Sequence, residues 1–468
     1  MRESVLSTIE QYRNQIRETE RRLVSLIKER LTIGEKLSEA IGSQGLLAVD
    51  EDQATDNIVS FAESLGFDVS FARKLAELLI EETTHKQEVD KPRSKDELLK
   101  EIVELSLRLE SEGKKITRFE IGEPNFAPPQ SVIHGLTATF RKKKVVGYGS
   151  ASGLLDLRKA LAEDLSEEHD VAIDPDQILI TPGGRFAIFA TVMSYISELE
   201  HVIVPQPAWP AYEECVTLAK GRTIPVNAKL ENKWDLNMGV LEDEMRKGAR
   251  MIVLNSPNNP TGKVFSKEKF HETVTLAHKY GSFVLSDEVY EKYVHSKVPS
   301  ILQEDYENYV YINSFSKQFS LTGWRIAYLV TTKAHAKRIR RIIQTAVTCV
   351  PEFIQRAALV ALKKGRSYAQ LNINSILRKV DLTCRELRKI DVEFYEPEGA
   401  FYVFPRSKKA NFDSVKFANK LLKDEQVSIS PGQSFGDYPA FFRLAVSLPE
   451  AQIPNAIKSI GRTLESWP

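Results

Sequence analysis

Cysteine is scarce in this chain. Three occur in 468 residues, Cys215, Cys349 and Cys384, and no two of them share a CxxC spacing. That excludes a disulfide framework or a cysteine-built metal site and leaves reduced thiols, so no metal is expected. A surplus of one charge sign is also missing: 64 basic residues balance 64 acidic ones. Bulk binding to nucleic acid or to an anionic membrane draws on a basic surplus, so neither partner is expected. No apolar run approaches the ~20 residues that a membrane helix needs. The opening residues are charged and polar and contain no secretory apolar stretch, which makes the expectation a cytoplasmic protein. Repeats and low-complexity tracts are lacking too. What remains is an ordinary globular composition, 42% hydrophobic and 27% charged, at a length that suits two or three domains.

Residues 1–88 read as an all-α domain of three helices. Ile9, Ile16, Leu23, Leu26, Ile27, Ile33 and Leu37 form an apolar stripe at helical spacing, opposite a face dense in Arg, Glu and Lys. Gly42 and Gly45 break this first helix; shorter ones are expected over 52–64 and 70–86. One long helix and two short ones bury such stripes poorly alone, so pairing with a second copy is expected. Residues 89–94, with Lys91-Pro92-Arg93, read as a linker. A helix is expected over 95–112.

Short apolar strands then alternate with amphipathic helices. The strand candidates are 177–181, 201–204, 223–226, 251–254, 283–286, 310–313 and 326–330. Alternation of this length predicts an α/β fold with a mostly parallel sheet and helices on both faces. A smaller C-terminal α+β unit, with strands at 393–395, 401–404 and 441–447, follows a long helical stretch from about 332. The expected division of 95–468 is a large domain of about 135–335 and a small one of about 95–134 plus 336–468.

In an open α/β sheet, ligands gather beyond the carboxyl ends of the strands. Pro182-Gly183-Gly184-Arg185 follows the first strand and opens a helix, where free N–H groups could meet an anion. Pro207-Ala208-Trp209-Pro210 follows the second and offers a flat ring. Asn255 to Gly262 follows 251–254 and holds Asn259 between prolines, as a directed amide. Asp287-Glu288-Val289-Tyr290 follows 283–286 with a carboxylate and a phenol. Ser314-Phe315-Ser316-Lys317 follows 310–313, and Thr322-Gly323-Trp324-Arg325 comes just after. There Lys317 sits where strand gives way to loop; its amine could condense with a carbonyl if burial lowers its pKa. Ser314, Ser316 and Arg325 could cradle a phosphate beside it. Each motif alone has an ordinary explanation as a turn, a cap or a core ring. Five together at one sheet edge point to a site.

Taken in order, these motifs resemble those of fold type I aminotransferases dependent on pyridoxal 5'-phosphate, over about residues 94–468. The resemblance implies that Lys317 holds the cofactor and moves the substrate proton, and that Asp287 pairs with the pyridine nitrogen. It implies that Tyr290 and Asn259 bond the phenolic oxygen and that Trp209 stacks on the ring. Gly183, Gly184, Ser314, Ser316 and Arg325 would take the phosphate. Arg443, in Phe441-Phe442-Arg443-Leu444, would fork onto the substrate α-carboxylate. Gly122, in Ile121-Gly122-Glu123-Pro124, would belong to the segment that closes over the substrate. Tyr148 would reach the phosphate site of the other subunit of a homodimer. The substrates implied are amino acids and 2-oxo acids. Arg185 stands where the acidic-substrate branch carries a lysine, and a guanidinium serves a distal carboxylate or the phosphate equally well. A pyridoxal-dependent β-lyase shares most of these contacts and stays open.

The first 88 residues resemble the all-helical chorismate mutases, which are intertwined dimers. The correspondence runs through Arg13, Arg30, Asp50, Thr83 and Gln87. The lysine that bonds the breaking ether oxygen in that family falls at Ile41, and two further polar positions fall at Gln53 and Ala54. Without its central cation, the electrostatic catalysis of that family loses its main component. A dimerisation or ligand-sensing domain is expected here, with a bifunctional mutase–aminotransferase as the alternative. The pairing suggests aromatic amino-acid biosynthesis, with prephenate or an arylpyruvate as acceptor and aspartate or glutamate as donor; a plain aspartate aminotransferase is the other alternative.

Overall fold

The computed structural model describes residues 94–142 and 147–467, together with scattered positions between 12 and 66. The chain divides into two compact units, Met1–Arg93 and Ser94–Pro468. In the first, the described residues between 12 and 33 are helical, and Leu23, Leu26 and Ile33 of the expected stripe are more than half exposed. Arg13, Arg30, Asp50, Thr83, Gln87 and Ile41 lie outside the described residues.

In the second unit, strand β1 (Thr117–Arg118) precedes a seven-stranded sheet. Its strands are β2 (Ile178–Thr181), β3 (His201–Gln206), β4 (Arg222–Asn227), β5 (Met251–Asn255), β6 (Phe283–Asp287), β7 (Tyr309–Ser314) and β8 (Ala327–Val330), in the order β2-β8-β7-β6-β5-β3-β4. Each falls within two residues of its expected bounds. Only β8 is antiparallel to its neighbours, so the other six strands run one way. Side chains alternate across the pleat: Ile252 and Leu254 enter one core, Met251 and Val253 the other. Both faces are thus covered by helices.

The small lobe carries β9 (Val392–Glu393), β10 (Tyr402–Val403), β11 (Arg406–Ser407), β12 (Val427–Ser428), β13 (Ser430–Pro431) and β14 (Phe442–Ala445). β14 lies between β10 and β13, and β1 runs parallel to β12. Helix Lys95–Ser111 starts at a capping box, Ser94 with Glu97, and packs Ile102 into the small-lobe core beside Phe119 and Phe442.

The helices after β8 are shared among the three cores. Ala336, Ile339 and Ile343 belong to one sheet core, and Ala357, Ala361 and Ala369 to the other. The small-lobe core takes over only at Ile373, inside helix Arg366–Leu387. Amphipathic spacing gives a helix a buried face but not the core that buries it. Among the described residues, no helix is long and apolar enough to cross a membrane.

Candidate active site

The carboxyl ends of β2, β3, β5, β6 and β7 open onto one cavity of about 580 Å³. Twelve expected residues line it: Gly122, Gly184, Arg185, Trp209, Asn259, Asp287, Tyr290, Ser314, Ser316, Lys317, Arg325 and Arg443. Gly183 lies just behind. Tyr148 is outside, 91% exposed, on a segment where Gly149 N–H meets Cys349 Sγ at 3.2 Å.

Lys317 is on one turn of helix, Phe315–Gln318, rather than on the expected loop. Ser314 causes this, because its hydroxyl caps the turn by accepting from Ser316 N at 3.0 Å. The same hydroxyl donates to Ile326 O at 3.2 Å, so Ser314 shapes the turn and its proton is not free for an anion. Lys317 is partly buried, and its Nζ donates to Gly122 O at 2.5 Å. Burial pushes its amine down to about 8, helped by Arg443 and Arg325 and opposed by Glu123 and Asp287.

Asp287 ends β6. Burial raises its carboxyl to about 6, against Tyr212, whose hydroxyl donates to Oδ2 at 2.7 Å, and the N–H of Val289. Asn255, opposite it in register on β5, donates Nδ2 to Asp287 O at 2.9 Å and accepts Asn259 N at 2.8 Å. One amide therefore fixes two site residues. Tyr290 and Tyr402 share a hydroxyl contact of 2.7 Å, and burial drives Tyr290 well above the ordinary phenol range.

Arg443, on β14, is 3% exposed. Its Nη1 donates to Asn259 Oδ1 at 3.0 Å; its Nη2 donates to Glu120 O at 2.6 Å and Ser430 Oγ at 3.1 Å. Nε is buried without a partner. A buried, half-satisfied guanidinium at a cavity wall is a ready receptor for a carboxylate. Gly122 lets the 121–124 segment approach: a Cβ there would lie 2.5 Å from Tyr402 Oη.

The anion cradle differs in one detail from expectation. Gly183 N–H is taken by Thr181 O at 2.8 Å, so this amide cannot serve a ligand. Its contribution is shape: φ is +93°, and a Cβ would lie 2.3 Å from Arg325 Nη2. The free amides are those opening helix Gly184–Tyr195. Trp209 stands at the rim with the Arg185 guanidinium 4.7 Å from its ring centre. Tyr212, Asn255, Tyr402 and Glu120 are site residues that sequence reasoning did not single out.

The family model for aminotransferase class I and II matches residues 114–460, all within the second unit. A relative from Aquifex aeolicus named "Probable aspartate/prephenate aminotransferase" is 32% identical over 369 residues, 76% of this chain and 93% of its own. "Aromatic-amino-acid aminotransferase 2" of Thermococcus litoralis is 31% identical over 353 residues, covering 74% and 90%. The solved aspartate aminotransferase of Thermotoga maritima superposes with a TM-score of 0.75 at 31% identity, over 80% of this chain and 98% of that one.

Proposed function

Because the chain belongs to the class I and II aminotransferases and is a pyridoxal-phosphate-dependent transaminase, we propose that it moves the amino group of aspartate or glutamate to an aromatic or dicarboxylic 2-oxo acid, prephenate or an arylpyruvate, in aromatic amino-acid biosynthesis. The observation that carries this reading is a single cavity that joins Lys317, Asp287 and Arg443 to an apolar wall with Arg185 at its rim.

The residues suit the cofactor. Gly183 leaves the space that Arg325 fills, the first amides of helix Gly184–Tyr195 would meet the cofactor's phosphate, and Asp287 ionises near pH 6. Lys317 would hold the cofactor; Asp287 would face its ring nitrogen; Tyr290 and Asn259 its phenolic oxygen; Trp209 its ring face. Ser316, Arg325 and Gly184 would take the phosphate, with Tyr148 from the partner of a homodimer. Bound pyridoxal phosphate supplies an electron sink that makes the substrate α-proton removable.

The chain's own groups do the rest. Arg443 binds the α-carboxylate and orients the Cα–H bond toward Lys317. The Lys317 amine, unprotonated for part of the time near neutral pH, takes the proton from the α-carbon and returns it to the other end of the transferring unit. Tyr212 and Asn255 hold Asp287 still. Arg185 receives a distal carboxylate where the substrate has one.

Residues 1–88 are proposed as a mutase-like helical domain that pairs two chains or senses a ligand, joined by 89–94 to the cytoplasmic transaminase. The exposed Leu23, Leu26 and Ile33 support pairing. Steady-state rates of the full-length protein with prephenate, phenylpyruvate, hydroxyphenylpyruvate, oxaloacetate and 2-oxoglutarate test the whole reading. Turnover of prephenate or an arylpyruvate is expected. If all three are inert while oxaloacetate is fast, the protein is a plain aspartate aminotransferase. A chorismate-loss assay on the same preparation should show none.

A further inference from the structure

Helix Lys95–Ser111 closes one side of the cavity with Leu99 and Val103, four residues apart and therefore on one face. Asp96 lies three residues before Leu99 on that face and is 4% exposed. Its two oxygens serve different cations. Oδ2 takes Lys100 Nζ at 2.6 Å, and Oδ1 stands 3.7 Å from Arg185 Nη2. The second distance is an ion pair without a hydrogen bond, so the guanidinium is attracted and not committed. Arg185 is about half exposed and lies against the Trp209 ring. The rim thus joins apolar surface from Leu99, Val103, Ile188 and Trp209 to one cation that carries its own counter-charge.

We propose that Asp96 is a specificity-determining residue: it competes with the substrate's distal carboxylate for Arg185, and so lets one cavity accept dicarboxylic and aromatic 2-oxo acids alike. The inference rests on the assignment of Arg185 to the distal carboxylate. When the distal group is an aryl ring, Arg185 stays with Asp96 and Trp209, and no unpaired cation meets the ring. When it is a carboxylate, Arg185 turns to it and Asp96 keeps Lys100. The same Asp96 charge repels the incoming carboxylate, which holds the dicarboxylate preference down.

The test compares 2-oxoglutarate with phenylpyruvate in steady state, with aspartate as common donor. It adds calorimetric binding of succinate, a dicarboxylate with nothing to transfer, to the cofactor-loaded full chain. Asp96→Asn should tighten succinate about fivefold and raise the 2-oxoglutarate to phenylpyruvate ratio of kcat/KM by a similar factor, through KM; a pair of one buried and one half-exposed partner supports a change of that size. Lys100→Met should move both readouts the opposite way, because Asp96 then turns wholly to Arg185. An unchanged ratio in Asp96→Asn, an equal loss for both substrates, or a shift of the same sign in Lys100→Met would overturn the inference. Arg185→Met separates the two levels. If it leaves succinate binding at the wild-type value, the assignment of Arg185 fails. If it weakens succinate while Asp96→Asn changes nothing, only the role of Asp96 fails.

Discussion

The Tyr212 hydroxyl donates to Asp287 Oδ2 at 2.7 Å, joining a helix that begins at Ala211 to the last residue of β6. Both side chains are buried, so the bond favours the ionised carboxylate against the burial that disfavours it. Tyr212→Phe removes that support. In the cofactor-free protein, the Asp287 carboxyl should then titrate above its value of about 6, read by infrared difference spectroscopy. Transamination should fall roughly tenfold, since a hydrogen bond to a charged group contributes about 1.5–3 kcal/mol.

Asp287 also sets a cost in stability. Its carboxyl binds a proton more tightly folded, at about 6, than unfolded, near 3.8. The cofactor-free protein therefore loses stability as pH rises from about 4 to about 6, and the loss stays constant above that. The difference is on the order of 3 kcal/mol. Asp287→Asn should raise the denaturation midpoint of cofactor-free protein at pH 7, with no gain below pH 4, while activity of the loaded enzyme falls by roughly a hundredfold or more.

The depressed Lys317 amine makes a second pH prediction. Only the free base attacks a carbonyl, and burial moves its titration down to about 8 from 10.5. Uptake of pyridoxal phosphate by cofactor-free protein should speed up as pH rises from 6 and level off above about 8. Stopped-flow absorbance reads this directly; a rate still climbing at pH 10 would mean an ordinary lysine.

Arg443→Lys keeps the charge and loses the planar fork that contacts Asn259, Glu120 and Ser430. KM should rise about thirtyfold for every amino and 2-oxo acid, about 2 kcal/mol, with kcat changed less. An effect confined to dicarboxylates would reassign the residue.

The strand ends were legible because strand–helix alternation collects them at one edge and each carries an unusual residue. Lys317, Asp287 and Asn259 meet around the cavity for that reason, whereas Arg443, on β14 of the small lobe, was legible only through the family resemblance. Tyr212 was not legible: it lies 75 residues before Asp287, and nothing local marks a tyrosine in a helix as a partner for a distant carboxylate. Asn255 reads as the end of a strand until the register sets it beside Asp287. Gly183 looked like an amide donor because glycine permits close approach; its N–H is used by Thr181, two residues back. Ser314 carried a readable signal that was missed, since a serine two residues before a buried N–H can cap a turn.

Reduction of the loaded full-length protein with borohydride, followed by peptide mass mapping, tests the central assignment most directly. The expected result is a pyridoxyl phosphate group fixed on Lys317 alone, absent from Lys317→Ala, which should also lack transaminase activity. The label on another lysine, or normal turnover by Lys317→Ala, would contradict it.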